Sequence, residues 1–208
     1  EMGFVCSRSI PSGVCITMIR PVDITIHQDW ADVRKSYNIM YDKSKHSKGV
    51  ANTDTDLSKM YSFENNFLSI DYTGVHSKNW GFLTGDLLLS TLPWANQAID
   101  LFADLDPNIF YHKSLQDVKK HTDYKDSSDV CNINFVISCE DPDAVTTSWD
   151  NDVPYSYPSI VNTAWLIDPS LPHEIRCNGS REALQFKFQH SYKEVSAFLD
   201  QHEPIILG

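Results

Sequence analysis

The stretch Leu171–Phe188, LPHEIRCNGSREALQFKF, decides the fold. It holds two runs of strand length around a Gly-containing turn. In the second run Leu184, Phe186 and Phe188 fall on one face, and Arg181 and Ala183 fall on the other. In the first, His173 and Ile175 share a face. A two-residue loop Asn178-Gly179 would put His173 and Arg181 on opposite faces. A three-residue loop Cys177-Asn178-Gly179 would pair Ile175 with Arg181 and put both on one face, with Gly179 at the left-handed position of a G1 bulge. The three-residue register is the favoured one. It turns His173, Ile175, Arg181 and Ala183 inward and leaves Leu184, Phe186 and Phe188 to be covered by helices.

Outward from this stretch the same texture continues. NIFYHKSL, CNINFVISC and SIVNTAWLI are further short runs, separated by turn-rich EDPDAV, WDNDVPYSYP and IDPS. Successive short strands predict a sandwich or barrel. Before residue 107 the chain is mixed. VCITMI, DITI and NFLSIDYTG read as strands, and HQDWADVRKSYNIMY reads as a helix capped by Asp29. TGDLLLSTLPWANQAIDLFADL reads as a helix divided at Pro93. DKSKHSKGVANTDTD (42–56) is polar and reads as a surface loop of low stability. SYKEVSAFLDQH reads as an amphipathic helix started by Ser191. No linker is evident. One domain over 1–208 is expected, with a supporting part about 1–106, a barrel core about 107–190 and a C-terminal helix about 191–203.

Composition narrows the function. Hydrophobic residues make up 41% and aromatics 12% of 208 residues, enough for a real core. The net charge of −11 repels polyanions and attracts cations, so nucleic acid is a poor partner. The five cysteines (Cys6, Cys15, Cys131, Cys139, Cys177) show no CxxC spacing and read as free thiols. No apolar run approaches the roughly 20 residues a bilayer requires. EMGFVCSRSIPSGVCITMI, broken by Arg8, Pro11 and Gly13, does not read as a signal peptide. A soluble protein of a reducing, cytoplasmic compartment is expected.

Two His-x-Asp pairs occur, His27/Asp29 and His121/Asp123 in KKHTDYKD (Lys119–Asp126). Such a pair on a strand can reach one ion from one face, but alone it is nearly worthless. It needs a distal His, and a facial triad then leaves three coordination positions open. His27/Asp29 lies at a helix start, with no arginine between Arg34 and Arg176. His121/Asp123 is followed by His173 and, eight residues on, by Arg181, whose planar fork suits a carboxylate. Arg176 is the alternative fork, pointing away from His173 in the favoured register. His112 and His190 read as ordinary strand histidines, and Trp149 and Trp165 as core.

His121, Asp123, His173 and Arg181, in this order within a late run of short strands, resemble the iron(II)- and 2-oxoglutarate-dependent oxygenases. NTAWLIDPSLPHEIRCNGSREALQFKF is similar to the second half of the barrel in their aspartyl/asparaginyl-hydroxylase-like and prolyl-hydroxylase-like branches. The resemblance covers about residues 107–190. It implies a double-stranded β-helix (a jelly roll), iron held by His121, Asp123 and His173, 2-oxoglutarate bound through Arg181, and the 42–56 loop as a lid over the barrel mouth. Asn134 and Tyr111 are weaker candidates for holding the co-substrate. The implied reaction consumes dioxygen and releases succinate and carbon dioxide while a peptide side chain, amino acid or small metabolite is hydroxylated. A non-redox, cupin-like metal or small-ligand binding protein is the alternative, as is a structural jelly roll with the three residues dispersed.

Overall fold

A computed structural model describes residues 19–46, 51–52, 60–63, 67–70, 80–123 and 130–208. The chain enters through β1 (Ile19–Val22) and β2 (Ile24–Ile26), then α1 (Ala31–His46). Among the described residues the strands β3 (Ala51–Asn52), β4 (Met60–Phe63), β5 (Phe67–Ile70) and β6 (Trp80–Leu83) follow. Short helices α2 (Gly85–Leu89) and α3 (Ala95–Leu101) flank Pro93, which lacks the N–H a continuous helix would need.

Eight strands then make the barrel: β7 (Asn108–Ser114), β8 (Val118–His121), β9 (Cys131–Cys139), β10 (Val145–Asp150), β11 (Val153–Pro158), β12 (Ala164–Ile167), β13 (His173–Arg176) and β14 (Arg181–Phe188). They divide between two antiparallel sheets, β12-β9-β14-β7 and β11-β10-β13-β8. Chain order alternates between the sheets except at the β10–β11 hairpin. This is the connectivity of a double-stranded β-helix, and the fold is mainly β with flanking helices. β1 extends the large sheet at one edge, and β6 to β3 extend it at the other. Helix α4 (Tyr192–His202) and β15 (Ile205–Leu207), parallel to β2, close the chain.

The large sheet has two unlike faces because its strands alternate. Leu184, Phe186 and Phe188 are fully buried on the outer face. Phe102, just after α3, contacts Phe186 and Phe188 at 5.6 and 5.3 Å between ring centroids. Trp30 and Tyr37 cover Phe135 and Tyr111 from the α1 side. Each such side chain stabilises the fold by roughly 1.5–3 kcal/mol on burial. Helix α4 is started by a capping box: Ser191 Oγ accepts from the Glu194 amide, and the Glu194 carboxylate accepts from the Ser191 amide. The Asp29 carboxylate accepts from the Ala31 amide at 3.0 Å, at the start of α1.

Several expectations need correction. The predicted hairpin between LPHEIRC and REALQFKF does not exist. β13 pairs with β10 and β8, whereas β14 pairs with β7 and β9, so Ile175 does not face Arg181 across a ladder. Residues 177–180 instead cross between sheets. Gly179 has φ +139°, outside the left-handed helical region that a G1 bulge uses. A second miss is WDNDVPYSYP, read as turn. It holds the end of β10 and all of β11, joined through Asn151 and Asp152 at φ 47° and 64°. Two consecutive positive φ values make the tight hairpin turn that matches strand twist. Pro154 and Pro158 are tolerated because β11 is an edge strand. Finally, α1 runs on to His46, so the loop expected at 42–56 begins as helix. Beyond 46 only the two residues of β3 are described, and the lid expectation otherwise lies outside the described residues.

Candidate metal and anion site

The barrel interior is lined by the inward residues of both sheets. On the small sheet the ladders set His173 opposite His121 and Ser148, and Ile175 opposite Thr146, which faces Tyr157. On the large sheet Arg181 lies opposite Ser114 and Cys139, and Ala183 opposite His112 and Val136. Gln185 lies opposite Phe110 and Asn134, and Asn134 opposite Trp165.

His121, Asp123 and His173 converge, with one donor atom from each all within 4.8 Å of one another. Two are set by the β8–β13 ladder. The third follows the end of β8, where the Asp123 amide donates to Pro169 O at 3.1 Å and ties it to the turn preceding His173. Asp168 shapes that turn by accepting from the Ser170 amide and hydroxyl. His121 Nε2 lies 3.2 Å from Asp123 Oδ1, and His173 Nε2 lies 3.9 Å from the same oxygen.

The ring tautomers follow from the backbone. His121 Nδ1 is 2.7 Å from Lys119 O and His173 Nδ1 is 2.9 Å from Leu171 O. A carbonyl only accepts, so both Nδ1 atoms carry the proton and donate. With Nδ1 so engaged, Nε2 is the ring atom left to ligate a metal, which is how metal-ligating histidines are oriented. Burial and the neighbouring His121 hold His173 below the usual histidine range, against the pull of Asp123. Burial pushes the Asp123 carboxyl up, but its bond to His121 and the charge of His173 outweigh this and leave it lowered. Neutral imidazoles and an ionised carboxylate are the forms a divalent cation needs. Cis ligands about 2.1 Å from an octahedral ion stand roughly 3 Å apart, so side-chain motion alone closes the set.

Arg181 supplies the second half of the site. It is 1% exposed, on the inward face of β14. Its Nε donates to Ser159 Oγ at 3.1 Å, while Nη1 and Nη2 are buried without a hydrogen-bond partner among the described residues. Burial holds its pKa below the ordinary value, partly offset by Tyr157, Cys139 and Cys177. A buried guanidinium with its fork unpaired is costly unless it serves an anion. Ser114 Oγ, Thr146 Oγ1, Ser148 Oγ and Trp165 Nε1 are also buried without partners among the described residues. The same interior thus presents a cation-ligand set, a fork and a polar lining.

His112 lies inward on β7 between these halves. Burial first, and Arg181 second, depress its pKa to about 3, while Asp123 opposes them. It is therefore neutral at physiological pH, beside the charged Arg181 guanidinium. From the sequence His112 reads as an ordinary strand histidine, and none of Ser159, Ser114 and Tyr157 is singled out. The signal for His112 and Ser114 was present in NIFYHKS, where Ile109, Tyr111 and Lys113 take one face and Phe110, His112 and Ser114 the other.

The remaining candidates divide. Asn134 is inward, with its Oδ1 accepting from Gln185 Nε2 at 3.0 Å. Tyr111 does not reach the site. It belongs to the outer face, paired with Leu184 and packed against Tyr37 at 5.4 Å, because it shares strand parity with Ile109. Trp165, read as core, stacks on Tyr157 inside the barrel at 5.0 Å. Arg176 is exposed and lies 3.8 Å from Glu174. His27 uses its backbone amide to bind Leu207 O. Among the described residues, His121, Asp123 and His173 are the one group of three potential ligands that converges, and no helix is long and apolar enough to cross a membrane.

No family model matches the chain, and no curated protein matches it in sequence. Solved structures of similar shape include an oxidoreductase of the 2OG-Fe(II) oxygenase family from Burkholderia pseudomallei, at 12% identity and TM-score 0.39, covering 64% of this chain and 72% of that one. EvdMO1 follows at 16% identity and TM-score 0.40, covering 81% and 45%. The vicilin of hazelnut, Corylus avellana, follows at 10% identity and TM-score 0.36, covering 54% and 30%. The chain thus spans under a third of that vicilin. Likenesses of this degree concern shape, and the chemistry rests on the residues themselves.

Proposed function

We propose that the chain is an iron(II)- and 2-oxoglutarate-dependent oxygenase acting on a peptide side chain, amino acid or small metabolite. The observation that carries this reading is the buried Arg181 fork, unpaired at both Nη atoms among the described residues, inside the same barrel as a His/Asp/His donor set. A barrel that only stores a metal has no need of such a fork. His121 and His173 Nε2 and an Asp123 carboxylate oxygen would hold the metal on one face. Arg181, fixed through Nε by Ser159, would take the distal carboxylate of the co-substrate in two parallel hydrogen bonds. Neutral His112 and the hydroxyls of Ser114 and Thr146 line the space between. Bound iron(II) and 2-oxoglutarate would supply dioxygen activation, with succinate and carbon dioxide as co-products. The chain's own contribution is to orient both and to exclude water from a mostly buried chamber.

Anaerobic calorimetry with iron(II) and then 2-oxoglutarate tests this without knowledge of the substrate. Stoichiometric iron binding followed by iron-enhanced 2-oxoglutarate binding is expected. Iron binding with no 2-oxoglutarate binding would favour the non-redox, cupin-like alternative. Retention of iron by His121→Ala and His173→Ala would overturn the metal assignment.

A further inference from the structure

We propose that Cys139 and Cys177 are a redox site, two thiols held in position to form a reversible disulfide across the mouth between the two sheets. Their sulfurs lie 3.8 Å apart. A disulfide requires about 2.05 Å, so closure needs an approach of only about 1.8 Å. Cys139 ends β9 and Cys177 follows β13, so the bond would join the large sheet to the small one.

The surrounding backbone holds the two in register. The Cys177 amide donates to Asp117 Oδ1 and the Asn178 amide to Asp141 Oδ2, each at 2.7 Å. The Ser180 amide donates to Glu140 Oε2 at 2.7 Å, and the Glu140 amide returns a bond to Ser180 O at 3.0 Å. Residues 139–141 and 177–180 are thus clamped directly beside the sulfur pair. Gly179 permits the close fit, since a Cβ there would lie 3.0 Å from the Glu140 side chain. Cys131 differs, buried in the helix-covered core on the other face of β9.

The thiols are unequal. Cys139 is half-buried, while Cys177 is 2% exposed and its pKa is pushed up to about 12, by burial first and then by Cys139. The more accessible Cys139 is therefore the sulfur that meets the oxidant. With hydrogen peroxide as oxidant, the Cys139 sulfur attacks a peroxide oxygen, the O–O bond breaks, and a sulfenic acid and one water result. The Cys177 sulfur then attacks Cys139 Sγ, the S–O bond breaks, and the departing hydroxide takes the Cys177 proton as a second water. Two thiols lose two electrons and two protons, and one peroxide becomes two waters.

Cys139 lies directly opposite Arg181 in the β9–β14 ladder, and Cys177 precedes it by four residues. Drawing the sulfurs together therefore moves backbone that positions the fork. Oxidation is expected to weaken dicarboxylate binding at least threefold, a consequence that rests on the proposed oxygenase reading.

The test treats the reduced full chain with hydrogen peroxide, alkylates the remaining thiols and maps peptides by mass spectrometry. A peptide pair joined through Cys139 and Cys177, reversed by dithiothreitol and lost in both Cys139→Ser and Cys177→Ser, is expected. Cys177→Ser should instead accumulate a Cys139 sulfenic acid that a dimedone probe traps. Over-oxidation of Cys139 with Cys177 still alkylatable in the wild type, or equal cross-linking of Cys139 to other cysteines, would overturn the site. Calorimetry with 2-oxoglutarate on reduced and oxidised protein then separates the two claims. Unchanged affinity after complete cross-linking overturns the coupling to Arg181. Absence of binding to the reduced protein overturns the oxygenase reading and leaves the mapped disulfide standing.

Discussion

Replacing Arg181 with methionine should make the ligand-free protein more stable while removing its response to co-substrate. The guanidinium is 1% exposed and leaves Nη1 and Nη2 without partners among the described residues. Each buried unpaired polar group costs about 1–3 kcal/mol, so the pair costs roughly 2–6 kcal/mol. Against this, the variant loses the Nε bond and leaves Ser159 Oγ alone, which costs about 1–3 kcal/mol. Methionine keeps most of the stem volume and adapts to irregular space. The balance is a gain on the order of 1–3 kcal/mol, in line with replacements of buried charges by apolar residues. For a chain of this size, each kcal/mol moves Tm by about 2–4 °C.

The assay is urea and thermal unfolding of metal-free protein, with and without 2-oxoglutarate. Wild type at a hundredfold excess over Kd should gain about 2.7 kcal/mol, and Arg181→Met should gain nothing. A variant destabilised by 2 kcal/mol or more would show that the fork is already satisfied in the resting protein. That result would remove the argument for an anion pocket, whatever the metal does.

Four further outcomes are expected. His112 is a base whose folded pKa, about 3, lies below its ordinary 6.5; its stabilising contribution is complete above 6.5 and is lost as pH falls toward 3. Metal-free protein should therefore lose on the order of 1 kcal/mol of stability per pH unit over that window, and His112→Gln should flatten the slope in urea melts. Asp123→Asn should weaken iron binding at least tenfold in anaerobic calorimetry, since it removes the only anionic ligand, while leaving the melting curve of the metal-free protein within a few degrees. Ser159→Ala should weaken 2-oxoglutarate binding more than iron binding, because it frees the Arg181 fork to reorient. Asp152→Gly should raise stability by a few tenths of a kcal/mol in urea unfolding, because Asn-Gly suits the two positive φ values of the β10–β11 turn.

How much of the fold was legible depended on whether each strand buried one face. REALQFKF, and CNINFVISC up to the register shift between Val136 and Ser138, alternate because helices cover one side of the large sheet, so their hydrophobic period of two is visible. VTTSWD and VPYSYP belong to the small sheet, where the inward Thr146, Ser148 and Tyr157 are polar and the outward Thr147 bonds Ser156 instead of packing in an apolar core. Their prolines and the Asn-Asp pair imitate a long loop. The division at Pro93 and the Ser191 cap were legible because they are local backbone effects. The pairing of β13 with β10 and β8 was not, because it is decided by which edge the chain meets after crossing the barrel.

That crossing also explains how Arg181 could be placed inward from a pairing that does not exist. Within one sheet, facing follows strictly from register. Between two sheets that enclose a common interior, the connecting segment resets the parity, and residues 177–180 do so here. The facing of Arg181 was instead fixed within β14, where Leu184, Phe186 and Phe188 must lie under the helices and Arg181 and Ala183 must lie opposite them. The same parity within β7 sends Tyr111 outward with Ile109 and His112 inward with Ser114. His173 faces in because Ile175, two residues on, does. Alternation within single strands therefore carried the site, and the same logic, applied to β7, would have replaced Tyr111 with His112.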